Sequence, residues 1–263
     1  VGDGIQSCET RLEELLHDAQ AWVASAGALV FLNRGLRARH YILRHCREYL
    51  DRTCFSKKDK PLSADVATEA ALHLNGYYLN LRGALDNLAW VLQIELRLLP
   101  GIDGTSSRGR TSIQLFGQKF INKLESAAPG LASRVSPMKE WGLDLAKLRD
   151  PAAHRIPLYV PSGFMTSQDQ VDEFRRLDAL SGAPKEELGG RRRIEIMLEA
   201  QQLASFEPLF CVTSSEGLNV YSIPRQLLYD HKNYLKLTAN VLRWFRGNAQ
   251  QLNPADPKNR AAD

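Results

Sequence analysis

Arg149, Asp150 and His154 are the residues of this chain whose types and spacing could do chemistry together. They stand in Arg149-Asp150-Pro151-Ala152-Ala153-His154. An imidazole with an ordinary pKa of about 6.5 transfers protons at neutral pH. A guanidinium stays charged and offers a planar fork to phosphate oxygens. RNA suits such a pair, because it carries its own nucleophile, the 2′-hydroxyl. Cleavage then calls for a base, an acid for the leaving 5′-oxygen, and positive charge on the phosphorane-like transition state. That chemistry requires no metal or other cofactor, and the chain shows no carboxylate or His/Cys cluster of metal-ligand type. A blander reading stands beside it. His154 could be a capping or core histidine, with Arg149 a structural partner of Asp150 or of a carbonyl.

Spacing alone does not single out this pair. Five of the six histidines follow an arginine at a comparable distance: Arg11/His17, Arg34/His40, Arg39/His45, Arg149/His154 and Arg225/His231. Arg149 differs from the others in its acidic follower and in its surroundings. Leu143, Leu145 and Leu148 mark the last turns of a helix. Asp150 precedes a proline, which pushes it out of the α region. Asp also suits an N-cap, and proline the first helical position. The sequence therefore predicts a helix end near Arg149, a sharp break, and a new turn from Pro151 carrying His154. An extended exit follows through Ile156-Pro157-Leu158-Tyr159-Val160-Pro161.

Upstream, Ala64 to Leu99 contains no proline and reads as the longest helix, capped by Ser63 and ended by Pro100-Gly101. Leu81, Leu85, Leu88 and Leu92 form its apolar stripe. Arg82 and Asp86 lie four apart on one face, the spacing of an ion pair worth about 0.2–0.5 kcal/mol.

An Arg-x4-His motif with a polar residue after the arginine resembles the signature of HEPN-domain proteins. Leu81-Arg82-x-x-Leu85-Asp86 resembles the helix that packs beside that motif in many of them. The resemblance covers about residues 64–159 by motif and the last helix by architecture. It implies a metal-independent endoribonuclease acting as a homodimer, with the Arg/His pairs of two copies in one cleft. His154 is then general base or acid, Arg149 stabilises phosphate charge, and Asp150 orients one of them. It also implies a defence or toxin–antitoxin setting with a regulatory partner protein. Many relatives are instead non-catalytic sensors or scaffolds, which is the alternative expectation. The chain departs from the family in two places. Ile156 stands where minimal toxins often have a tyrosine, and Pro151 interrupts the motif.

Composition bounds the rest. The chain has 263 residues, 44% of them hydrophobic, with a formal charge of +4. That is enough apolar content for a real core, and a charge that permits a nucleic-acid partner without demanding one. No run of 18 apolar residues exists, so no membrane span is expected. The first residues lack the pattern of a signal peptide. Cys8, Cys46, Cys54 and Cys211 form no paired motif and read as reduced thiols of a cytoplasmic protein.

The remaining elements follow from periodicity. Helices are expected over Gln6–Ser25 and Ala28–Asp51, with Gly27 a candidate interruption. The second of these carries Arg34, Arg37, Arg39, Arg44 and Arg47, either a solvated face or a phosphate-tracking one. Residues 101–112 read as a loop, Ile113–Ala127 as a helix, and Asp169–Leu180 as a polar helix. Arg191, Arg192 and Arg193 follow two glycines, read as a solvated turn that could meet RNA phosphates; Arg82 is a further RNA-contact candidate. Ile194–Ala204 is ambiguous. Two β-rich stretches, 208–214 and 218–223, flank Ser215-Glu216-Gly217 and predict a hairpin. Arg225–Arg246 is a last helix stopped by Gly247. The expected fold is mainly α: an antiparallel helical bundle, one domain over residues 1–250, with a small β-hairpin in an insertion at about 161–223 and a polar tail at 251–263.

Overall fold

The computed structural model describes residues 2–102, 113–154, 156–182, 189–214 and 217–252. The architecture is mainly α with one antiparallel hairpin. The elements are α1 (Gly2–Asp18), α2 (Ala26–Val30), a π-helical stretch (Phe31–Arg37), α3 (Ala38–Cys54) and α4 (Ala64–Leu96). Then follow α5 (Gln118–Ala127), α6 (Pro129–Val135), α7 (Lys139–His154), α8 (Gln168–Ser181) and α9 (Gly190–Gln202). Strands β1 (Leu209–Ser214) and β2 (Gly217–Ser222) and helix α10 (Ile223–Leu252) complete it.

Helix α4 is the centre. Its buried residues include Leu74, Tyr77, Tyr78, Leu81, Leu85, Leu88 and Val91, more than one stripe can hold. A helix apolar on most sides must be surrounded, and α3, α7 and α10 all pack on it. Ser63 caps it as expected, its hydroxyl accepting from the Val66 amide. It ends at Leu96 rather than Leu99. Arg97 takes a left-handed conformation, φ 50°. The buried Gln93 side chain then accepts from the Leu99 amide at 2.9 Å and donates to the Leu99 carbonyl at 2.8 Å. Polar pairing of this turn, and not Pro100, sets the end.

Gly27 does not break a helix; it lies inside α2, and the break falls at residues 22–25. Residues 113–117 are not helical, although Ile113, Leu115 and Phe116 are buried. The three adjacent arginines belong to the first turn of α9, not to a turn between elements. Helix α10 runs through Gly247. The glycine costs about 1 kcal/mol in a helix, but Phe245 is buried beside it and Asn248 donates to the Trp244 carbonyl at 2.8 Å.

The larger correction concerns α7. It does not end at Arg149; it continues through Asp150 and Pro151 to His154. Pro151 lacks the amide that would bond the Lys147 carbonyl, a real local cost. Pro151 is nevertheless buried and Ala152 packs on the core, so tertiary contact holds this last turn helical against its local preference. The buried face of α7 is Trp141, Leu145 and Leu148, while Leu143 is 54% exposed.

The hairpin pairs Leu209 with Ser222 through Ser214 with Gly217. Phe210 stacks on Tyr221 and meets Tyr78 of α4, and Tyr159 bridges Cys211. Helices α8 and α9 pack on each other around Leu177, Ile196 and Ala200, apart from the main core. No helix among the described residues is long and apolar enough to cross a membrane. The expected polar tail lies outside the described residues from 253 on.

Candidate functional site

Helices α4 and α7 pack side by side, so Arg82 and Asp86 of the first meet Arg149 and Asp150 of the second along one open groove. Its volume is about 500 Å³, and Trp90, Ile113, Gln114, Gly142, Leu143 and Ala146 complete its lining. Arg82 Nε lies 3.4 Å from Asp86 Oδ1, and its Nη1 donates to the Gly142 carbonyl at 3.4 Å. Arg149 Nη1 donates to Asp150 Oδ1 at 3.0 Å. Burial raises the Asp86 carboxyl above its ordinary range, and the charges of Arg82, Arg149 and Arg39 oppose that rise.

Two glycines allow close approaches beside this groove. A Cβ on Gly142 would sit 2.0 Å from the Phe116 ring, so α7 can lie this close to residue 116 only with glycine there. A Cβ on Gly83 would sit 2.5 Å from the Arg39 guanidinium, which crosses α4 there to donate to Asn80 at 2.9 Å. Arg39 thus lies on the far flank of the same stretch of α4, in a second shallow groove with Arg34 and Asn87.

The sequence candidates are therefore partly gathered. Arg82, Arg149 and Asp150 share the groove. His154 is the last residue of α7, and its side chain lies outside the described residues. Because the helix is unbroken, positions 149 and 154 are about 7.5 Å apart along the axis and about 140° apart around it. Arg191, Arg192 and Arg193 do not line this groove. Arg191 and Arg192 are exposed on α9, and Arg192 lies 3.2 Å from Glu195 and 3.3 Å from Glu199.

A second ionic cluster lies in the core, among α1, α3, α4 and α10. Arg47 pairs with Glu9 through two bonds, of 2.9 and 3.1 Å. His231 Nε2 meets the same carboxylate at 2.8 Å, and its Nδ1 lies 3.2 Å from the Tyr77 hydroxyl. Asp230 accepts from Tyr78, Trp141 and Gln226, and His40 meets the Tyr234 hydroxyl. Glu9, His40, Arg47, Asp230 and His231 are all buried. Burial would raise the Glu9 carboxyl, but hydrogen bonds from His231 and Arg47 and their charges leave it below its usual range. Burial drives His231 down, against the pull of Glu9. Burial, with the His231 charge, takes His40 down to about 4.

A signal for this cluster does exist in the sequence. Glu9 falls on the stripe of Ile5, Leu12 and Leu16, Arg47 on that of Leu43, Leu50 and Cys54, and His231 on that of Leu227, Tyr234 and Thr238. A charged residue on an apolar stripe needs a buried partner. Two of the five arginines on the second predicted helix are committed this way or similarly: Arg47 to Glu9, and Arg44 to Glu13 and Glu48.

No protein-family model matches the chain, and no curated protein or solved structure matches it.

Proposed function

We propose that this protein is a metal-independent endoribonuclease of HEPN type, working at the α4–α7 groove. One observation carries the reading: Arg82 and Asp86 of α4 share an open groove with Arg149 and Asp150 of α7. In the reaction the 2′-hydroxyl attacks the adjacent phosphorus, giving a 2′,3′-cyclic phosphate and releasing the 5′-oxygen. His154 takes the hydroxyl proton or supplies the leaving-group proton, a role worth about 10²–10⁴-fold in rate. Arg149, oriented by Asp150, balances charge on the phosphate, and Arg82 offers a second cation. Arg191, Arg192 and Arg193 are further phosphate contacts outside the groove. The separation of positions 149 and 154 around one helix favours a homodimer, in which two copies of α7 side by side would gather two arginines and two histidines in one cleft. A regulatory partner protein belongs to the same reading.

A second reading, a non-catalytic helical binding module, is favoured by the ion pairing inside the groove. Arg82 and Arg149 each already face a carboxylate.

The test incubates wild type, His154→Ala and Arg149→Ala with a mixed RNA pool in excess chelator. The ribonuclease reading expects cyclic-phosphate ends from wild type and none from either variant, with 2′-O-methyl RNA resistant. Cleavage by His154→Ala at the wild-type rate would remove the histidine from the mechanism. RNA bound but uncut by all three proteins would establish the binding module instead.

A further inference from the structure

A groove of about 590 Å³ runs between α1 and α10 and shares no lining residue with the α4–α7 groove. Its floor and walls are apolar: Ile5, Cys8, Leu12, Leu235 and Ala239. Its rim carries Arg11, Lys232, Lys236 and Arg243, and among the described residues no carboxylate lines it. In a chain whose charges nearly balance, with 34 basic and 30 acidic residues, four cations around one apolar slot are a local excess. We propose that this groove binds a single-chain anionic amphiphile of the fatty-acid class, its alkyl chain along the floor and its carboxylate among the rim cations.

Shape favours that occupant. The lining on α10 extends from Lys232 to Arg243, about 16 Å at 1.5 Å per residue. Leu12 and Leu235 are only 1% and 5% exposed, so the floor is nearly sealed. What remains is a strip flanked by the methylene stems of lysine and arginine, which cover apolar surface while their charges stay wet. Such a strip suits an extended chain and offers few holes for the side chains of a docking helix. A second copy of this face would oppose cation to cation. The volume lies in the range of about 300–1,000 Å³ usual for small-molecule sites.

The head-group end falls at Arg11 and Arg243. Both also line the adjoining groove, where Arg246 adds a third cation and Glu14 and Asp18 offset part of the charge. Selectivity for an anion therefore rests on Arg11 and Arg243, and affinity on the strip between Ile5 and Ala239.

Cys8 reports occupancy directly. It is the exposed thiol, whereas Cys46, Cys54 and Cys211 are buried. The experiment measures alkylation of Cys8 by iodoacetamide with laurate below its micelle concentration, beside calorimetric titration of laurate into the full chain. At ten times the measured Kd, mass action leaves about a tenth of the sites open, so alkylation slows about tenfold. Dodecanol and dodecyltrimethylammonium leave the rate unchanged. The Arg11→Glu/Arg243→Glu variant loses the protection, and Ala239→Phe, which fills the strip and keeps the cations, loses it too. Equal protection by dodecanol would overturn the proposal, as would absence of both heat and protection with laurate. Protection only by phosphatidylglycerol vesicles would make the face a membrane-surface contact instead. Protection only by an acidic amphipathic peptide would make it a helix-docking groove.

Discussion

The molecule holds two clusters built from the same residue types, and they differ in their access to water. In one, Arg47, Glu9 and His231 close on each other between α1, α3 and α10, with Arg47 and Glu9 side chains 7% and 2% exposed. In the other, Arg149 and Asp150 sit at the mouth of the α4–α7 groove, 34% and 56% exposed. An enclosed arginine fixes helices relative to one another, since removing it strands a charge in a dry interior. An open arginine contributes little to stability and stays within reach of a ligand. Arginine–carboxylate pairing thus ends in two unlike environments, Arg47 with Glu9 enclosed and Arg149 with Asp150 open.

The sharpest way to break this comparison is to delete one arginine from each cluster. Arg47→Ala leaves Glu9 buried beside His231 and is expected to cost about 3–5 kcal/mol, read by chemical denaturation. Arg149→Ala is expected to cost no more than about 1 kcal/mol. Equal losses would mean that both clusters are structural.

A smaller effect comes from pH. Unfolded His40 takes up a proton near its ordinary pKa, whereas in the folded protein burial and the His231 charge hold it down to about 4. The resulting stability is complete above about pH 6.5 and is lost as pH falls toward 4, an effect on the order of 3 kcal/mol. His231, also lowered, acts in the same direction, and Glu9, held below its usual range, adds to the loss at more acid pH. Asp230, raised by burial against its three hydrogen-bond donors, works the other way. Thermal melts from pH 7.5 to 4.5 should fall steeply for wild type and less steeply for His40→Gln. Parallel curves would remove His40 from the account.

The smallest effect belongs to the groove. Arg82→Gln removes the i, i+4 pair with Asp86 and should change stability by about 0.2–0.5 kcal/mol, read by the denaturation midpoint. A loss several times larger would place Arg82 with the structural arginines.

Local rules carried far where a segment's own preference agreed with its packing. The long apolar run with Ser63 before it was bound to be a buried, capped helix. The two β-rich stretches flanking residues 215–217 favoured a hairpin, and the spacing of Arg82 and Asp86 favoured their pairing. Those rules failed at Pro151 and Gly247, where neighbouring buried side chains hold a turn helical against its local cost. They put Glu9, Arg47 and His231 on apolar stripes but not against one another, because the three lie in helices far apart in sequence.

By itself, then, the sequence determined the helical class, the central helix and the hairpin, because hydrophobic period and turn chemistry act over a few residues. Only the tertiary structure decided which ionic residues face water. That choice depends on which helices meet, and on glycines such as Gly142 and Gly83 that let Phe116 lie against α7 and Arg39 lie against α4.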